Sequence, residues 1–249
     1  DPAPVAQTPV SSVAPALTYI LTVPATTLGT TVFTNGISSS NVCTGNQGNG
    51  SATIVVNPIP TASISLTDAS TICETSSSQI TFTGSVGKAP FTFNYTEDGV
   101  PKTISTADSL TSSITINASN FVGTHTYVLT HVSDRYNCNQ AQSGTVTIVV
   151  DPLPQATAGG NSRICLNGTT TVSGASSVNG SINWTHNGSG TLTNTTILTP
   201  NYAAGTADVG KTITLTMTVT STNACNPQTA TAIYTVFVDS LPLAIAGGT

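Results

Sequence analysis

The chain has 249 residues, of which only 6% are charged, against roughly 25% in an average soluble protein. Its five Lys and Arg residues do not cluster and its formal net charge is −5, which excludes a basic surface for nucleic acid. The apolar residues form no run long enough to cross a bilayer, so direct membrane insertion is not expected either. We expect a surface hydrated mainly by Thr, Ser, Asn and Gly.

One eight-residue phrase divides the chain into repeats. It reads TIVVNPIP at 53–60, TIVVDPLP at 147–154 and TVFVDSLP at 235–242, with spacings of 94 and 88 residues. A period of this length indicates an array of separately folded modules, because solenoid repeats are shorter. Each phrase is typical of a last β-strand followed by a linker that proline stiffens.

The predicted elements are β-strands throughout, since no segment has apolar residues at helical spacing. Residues 1–60 match only the last strands of the later modules, so they are interpreted as the C-terminal part of a truncated β-sandwich module. Complete modules are predicted at 61–154 and 155–242, each a sandwich of two antiparallel sheets. The predicted strands are 62–67, 79–85, 91–96, 112–117, 124–131 and 144–150, then 169–173, 181–186, 212–220 and 229–238.

The last seven residues, 243–249, copy residues 155–161 and are interpreted as the first strand of a further module. The repeats therefore break off at both ends of the sequence. We expect a truncated array, and the alternative is a filament subunit whose missing strands come from its neighbour.

The five cysteines follow the repeat. Cys43, Cys138 and Cys225 each lie 13 or 14 residues before the Asn or Asp of the repeated phrase, whereas Cys73 and Cys165 lie near the starts of their modules. We predict one bridge within each complete module, Cys73–Cys138 and Cys165–Cys225, and leave Cys43 unpaired. Such bridges indicate an oxidising compartment. No CxxC or HxxxH spacing supports a metal site.

Four recurring motifs resemble a known family. They are Ile-Cys at 164–165, the Asn-Trp-Thr hairpin at 183–191, Tyr-Val-Leu-Thr at 127–130 and the Cys-led final hairpin at 138–154. Together they resemble the PKD-like and Ig-like tandem-repeat surface proteins of Bacteroidota, in particular the SprB-like gliding-motility adhesins exported by type IX secretion. The resemblance implies all-β, Ig-like or PKD-like antiparallel sandwiches arranged end to end at the cell surface. Surface glycans or other cell-surface and substratum ligands, and neighbouring modules, are the partners it implies.

No residue pattern indicates catalysis or a cofactor. Trp184 is the only tryptophan and is predicted to fill a core, with a sugar-stacking surface as the alternative. No catalytic motif surrounds the three histidines, His125, His131 and His186, and the carboxylates are too scattered for a paired acid and base. A Ca²⁺ site at the module junctions, with Asp68, Asp151 or Asp239 as a ligand, stays open as an alternative.

Two tripeptides, Asp-Ser-Leu at 108–110 and at 239–241, resemble the acceptor sequence of Bacteroidota O-glycosylation. Ser109 and Ser240 are therefore candidate glycosylation sites. The sequence as a whole predicts a non-catalytic segment of an extracellular adhesin or stalk. The alternatives are a filament subunit assembled by strand exchange and a carbohydrate-binding accessory module of a secreted enzyme.

Overall fold

We analysed a computed structural model of the chain, which describes residues 28–35 and 50–242. In this part of the chain the regular elements are nineteen β-strands and one short 3-10 turn. The predicted all-β class with Ig-like sandwich modules is confirmed. The predicted strand at 243–249 and Cys43 lie outside the described residues.

The first module is represented by one antiparallel hairpin. Strand β1 (Gly29–Asn35) pairs with β2 (Gly50–Val56), and Val32 lies opposite Thr53. Because β2 contains the first copy of the repeated phrase, this hairpin corresponds to the final hairpin of the later modules.

The second module contains two sheets that enclose one core. Apolar side chains alternate with polar ones along the strands, so each sheet has one apolar face and the two faces pack together. Phe82 and Phe93 are fully buried there, and their ring centroids lie 5.6 Å apart. One sheet orders β3 (Thr61–Leu66), β5 (Gln79–Ser85) and β8 (Ser113–Asn117). The other orders β4 (Thr71–Cys73), β10 (Asn139–Asp151), β9 (Gly123–Ser133), β6 (Thr92–Glu97) and β7 (Val100–Ser105).

The third module has a main sheet that corresponds to the first four strands of the five-stranded one, and its own core around Trp184 and Leu215. A 3-10 turn, Thr206–Asp208, follows its smaller sheet. The main sheet orders β12 (Asn161–Cys165), β19 (Thr229–Asp239), β18 (Thr212–Ser221) and β15 (Gly180–His186). The smaller sheet orders β13 (Thr169–Thr171), β17 (Asn201–Ala203) and β16 (Thr191–Thr193), and β11 (Gln155–Thr157) pairs with β14 (Ser176–Val178).

The long final strand of each module gives the module two distinct ends. We call the end where β9 turns into β10, or β18 into β19, the upstream end. The downstream end is where β10 or β19 finishes and the linker to the next module begins. The thirteen residues of β10 separate the two ends by about 40 Å, since an antiparallel strand rises about 3.4 Å per residue.

A short strand that the sequence did not predict pairs in parallel with the downstream part of the final strand. In the second module β4 places Cys73 beside Asp151, and in the third β12 places Cys165 beside Asp239. The first cysteine of each module therefore lies at its downstream end.

Candidate functional site at the module junction

The predicted disulfide pairing is wrong, because Cys73 is bonded to Cys225 in the next module. The bridges Cys73–Cys138 and Cys165–Cys225 are not formed. Within each module the two cysteines lie at opposite ends of the final strand, far beyond the 4.4–6.8 Å that usually separates the Cα atoms of a disulfide. Cys138 is half-buried and Cys165 exposed, and neither is bonded to another described cysteine.

Three hydrogen bonds accompany this bridge between the modules. The Ala224 backbone N–H donates to Asp151 Oδ2 at 2.9 Å, and Asn223 Nδ2 donates to the Pro152 carbonyl at 3.0 Å. Asn179 Nδ2 donates to the Leu153 carbonyl at 3.0 Å. Backbone groups of the linker are therefore held by two loops of the third module, so the linker is fixed at several points.

Local bonds orient the groups that meet at the junction. Asn223 Oδ1 accepts hydrogen bonds from Ser221 Oγ at 2.6 Å and from the Cys225 N–H at 2.9 Å, which directs its amide nitrogen towards the linker. On the other side, Glu74 Oε1 accepts from the Leu153 N–H at 2.8 Å. The Cys225 sulfur carries no proton in the disulfide, so its 3.3 Å approach to the Asp151 carbonyl oxygen is a contact rather than a hydrogen bond.

Asn179 and Asn223 are junction residues that sequence reasoning did not identify, whereas Asp151 was placed at a junction but given a different partner. Asp151 was considered as a Ca²⁺ ligand, whereas in the structure its carboxylate accepts a backbone N–H. Its position directly before the linker, repeated as Asp239, was the available signal. Between residues 50 and 242, no three His, Cys, Asp or Glu side chains are grouped so as to hold a metal ion.

The third module contains a buried carboxylate close to its smaller sheet. Asp208 is 1% exposed and accepts hydrogen bonds from the Ser189 N–H, the Ser189 hydroxyl, the Gly205 N–H and the Tyr202 hydroxyl, at 2.6–2.9 Å. Burial alone would raise its pKa, but these hydrogen bonds outweigh it and lower the pKa of Asp208 well below the usual range. Burial and the bond to Asp208 raise the pKa of Tyr202 to about 12. The group is a structural anchor within one module.

Trp184, predicted as a core residue, is 2% exposed, and its indole N–H donates to the Ile197 carbonyl at 3.0 Å. Strand pairing places Trp184 opposite Met217 and Tyr95 opposite Leu129. Since these partners are 88 residues apart, Tyr95 occupies the equivalent core position in the second module. The Trp184 ring offers no exposed surface for a sugar.

The three histidines do not lie together in one site. His125 bridges Asp98 Oδ2 at 2.7 Å and the Phe121 carbonyl at 2.8 Å, on the second module. His131 lies on the same strand, while His186 lies in the third module with its ring edge against Tyr202. This arrangement brings together no acid, base and nucleophile.

The two candidate glycosylation sites are both exposed. Ser109 lies in a loop where Asp108 Oδ1 accepts hydrogen bonds from the Leu110 and Thr111 N–H groups, both at 2.9 Å. Ser240 follows the end of β19, at the downstream end of the third module. Both hydroxyls are accessible, and their modification stays a prediction.

No family model matches the sequence, and no curated protein matches it. Among solved structures, the chain is similar to a 1.5-MDa bacterial ice-binding adhesin at TM-score 0.38 and 16% identity, covering 79% of this chain and 71% of that one. It is also similar to the mouse nectin-like molecule 4 ectodomain (TM-score 0.35, 12% identity, coverage 76% and 66%). For the four N-terminal Ig domains of Dscam1 the values are 0.33, 10%, 76% and 51%. Identities this low make these similarities of fold alone. No described helix is both long and apolar enough to span a bilayer.

Proposed function

We propose that this chain is a non-catalytic segment of a long extracellular adhesin or stalk, built from disulfide-linked β-sandwich modules. One observation carries the proposal: the Cys73–Cys225 bridge joins two modules that have separate cores. A bridge inside a module would stabilise that module only. A bridge between modules restricts the angle and twist at their junction, which is the property a stalk needs.

The bridge also gives the array a second path for mechanical load. Tension that reaches the end of β10 passes through the linker, and in parallel from Cys73 to Cys225. The linker bonds of Asn223 and Asn179 share shear across the same junction. Because few charges are present, the junction is expected to change little with ionic strength.

The disulfide supports an oxidising, extracellular location at the cell surface. The assignment to Bacteroidota gliding-motility adhesins, and to type IX secretion, rests on the motif resemblance. Under this proposal the partners are neighbouring modules of the same polypeptide and surface glycans or other cell-surface ligands. Burial of Trp184 counts against the alternative of a carbohydrate-binding accessory module.

A second candidate, a filament subunit that assembles by strand exchange, is favoured by the apolar face of the β1–β2 hairpin. Ala52, Ile54 and Val56 alternate onto one face of β2, and Ile54 is 36% exposed, whereas Ile148, the repeat equivalent of Ile54, is fully buried. Strands supplied by a neighbouring chain would cover this face. Salt-resistant polymers seen by size-exclusion chromatography would favour this candidate, whereas an elongated monomer would favour the stalk.

Small-angle X-ray scattering of the full chain tests the stalk directly. The wild type is expected to give the profile of an elongated particle with a fixed junction, and the double variant Cys73→Ser/Cys225→Ser a broader distribution of maximum dimensions. Cys165→Ser is the matched control, because it removes a cysteine without touching the bridge. Identical distributions for the wild type and the double variant would contradict a role of the bridge in stiffness.

A further inference from the structure

The downstream end of the third module repeats the geometry that holds Cys73. Cys165 pairs with Asp239 in parallel register, as Cys73 pairs with Asp151. In both cases the next residue donates its N–H to that aspartate's carbonyl, at 2.9 Å in the third module and 3.0 Å in the second. The N–H of the residue three positions after the cysteine donates to the cysteine carbonyl, at 2.8 Å in both modules. Cys165 is therefore presented in the same way as Cys73, but exposed.

The upstream end of the second module also carries a cysteine in the loop before its final strand, although the two loops differ in detail. The Cys138 N–H donates to Asp134 Oδ1, four residues earlier, at 3.1 Å, whereas the Cys225 N–H donates to Asn223 Oδ1, two residues earlier, at 2.9 Å. The preceding linker lies beside this loop. A Cβ atom placed on Gly87 would be 2.9 Å from Pro60 Cβ in the linker and 3.1 Å from Asp134 Oδ2 in the loop. Each module thus has one cysteine of the downstream type and one of the upstream type.

We infer that the Cys73–Cys225 bridge is one unit of a repeating inter-module disulfide, and that Cys165 is its next open half. The partner of Cys165 is the upstream cysteine of a further module of the same kind, seated on the downstream end of the third module. Cys138 is the complementary half, for the downstream cysteine of a module that precedes the second. The inference rests on the proposed tandem array and specifies how its modules are joined.

The end surface around Cys165 already carries the groups that this partner requires. Asp239 is the equivalent of Asp151, whose carboxylate accepts the Ala224 N–H of the next module. In the third module this carboxylate instead accepts two hydrogen bonds from the exposed Arg163 guanidinium, at 2.5 and 3.1 Å. Since exposed ion pairs of this kind contribute little, an incoming loop can replace Arg163 at small cost.

The bond forms by thiol–disulfide exchange with a small-molecule disulfide such as oxidised glutathione. The Cys165 thiolate attacks that disulfide, gives a mixed disulfide and releases one small thiol. The thiolate of the incoming module's cysteine then attacks the Cys165 sulfur and releases the second small thiol. Two protein thiols are oxidised, one small disulfide is reduced, and their two protons pass to the released thiolates.

The test uses the full chain extended by one repeat. Residues 155–242 are copied once after residue 242. The copy supplies a second Cys225, which is the upstream cysteine of the added module, at the natural spacing. Cys43→Ser removes the upstream-type cysteine of the first module from every sample. The protein is refolded with reduced and oxidised glutathione, and its free thiols are labelled with maleimide and located by peptide mass spectrometry.

We expect Cys165 to lose its maleimide label in the extended chain, and to be found bonded to the copied equivalent of Cys225. Cys138 should stay labelled and serves as the internal control. In a matched chain whose copied cysteine is serine, both Cys165 and Cys138 should be labelled. Retained labelling of Cys165, a glutathione adduct on it, or a Cys165–Cys165 dimer would overturn the inference.

Scattering from the same samples separates this inference from the proposed array. A maximum dimension that grows by one module while Cys165 stays labelled would support the tandem array and contradict the repeating disulfide. A compact particle in which Cys165 is not bonded would contradict both the array and the repeating disulfide.

Discussion

Cys73 and Cys225 are 152 residues apart in the sequence, yet their Cα atoms lie 4.6 Å apart across a module junction. In the oxidised native protein we expect peptide mapping to find Cys73 bonded to Cys225. Neither Cys138 nor Cys165 should be found in a disulfide with either of them. A Cys73–Cys138 peptide from freshly purified protein would contradict the described junction.

Loss of this bridge should destabilise both modules, because an unfolded module remains tethered at the junction while its neighbour stays folded. The chain-entropy model gives roughly 5 kcal/mol for the 152-residue separation of these cysteines. We expect urea unfolding of Cys225→Ser to have a lower midpoint than that of the wild type, whereas Cys138→Ser stays close to it.

The sequence predicted most of the longer strands closely, but it missed β7 and most of the short strands, among them the two parallel ones. Strand 79–85 was predicted with its observed bounds, because polar and apolar residues alternate along it and both neighbours are antiparallel. The three residues Thr71–Cys73 and the five residues Asn161–Cys165 are too short to show that alternation clearly, and their only strand partner is the distant end of the module. Without these short strands, the sequence could not show that Cys73 and Cys138 lie at opposite ends of the second module.

The junction contacts could not be predicted for a related reason. Asn179 and Asn223 act through side-chain amides on backbone carbonyls of the linker, and any Asn in a chain so rich in this residue looks the same in sequence. Only the spatial arrangement of two modules distinguishes them. The recurrence of Asp151 and Asp239 did indicate a special position, but not its partner.

Asp208→Asn should destabilise the third module by roughly 2–3 kcal/mol, because an amide cannot accept all four of the buried hydrogen bonds that the carboxylate accepts. Fluorescence of Trp184, the only tryptophan, reports this module during urea unfolding. Asp239→Asn is the control, since its exposed ion pair with Arg163 is expected to contribute less than about 1 kcal/mol.

The same residue predicts a pH dependence. Because folding lowers the pKa of Asp208, its stabilisation is present above the unfolded value of about 3.9 and is lost as the pH falls towards the folded value. The difference in unfolding free energy between wild type and Asp208→Asn should therefore be constant from neutral pH down to about pH 5 and shrink below about pH 4. A difference that grows on acidification would contradict this assignment.

His125 should titrate above its ordinary value. The hydrogen bond to Asp98, and then the one to the Phe121 carbonyl, raise the pKa of His125, since only the protonated ring can donate from both nitrogens. Its stabilising effect is complete below the unfolded pKa of about 6.5 and is lost as the pH rises through the folded pKa. NMR titration of the ring protons checks the direction, and Asp98→Asn should move the His125 pKa back down.

The two described modules should unfold as separate units once the bridge is removed, because their buried residues form two clusters. In the Cys73→Ser/Cys225→Ser background, Leu215→Ala should lower the midpoint of the Trp184 fluorescence transition, by about 2–5 kcal/mol in unfolding free energy. Phe82→Ala, an equally buried change in the other core, should leave that transition in place and lower only the part of the circular dichroism signal that belongs to the second module. Equal shifts of the Trp184 transition in both variants would contradict separate unfolding of the two modules.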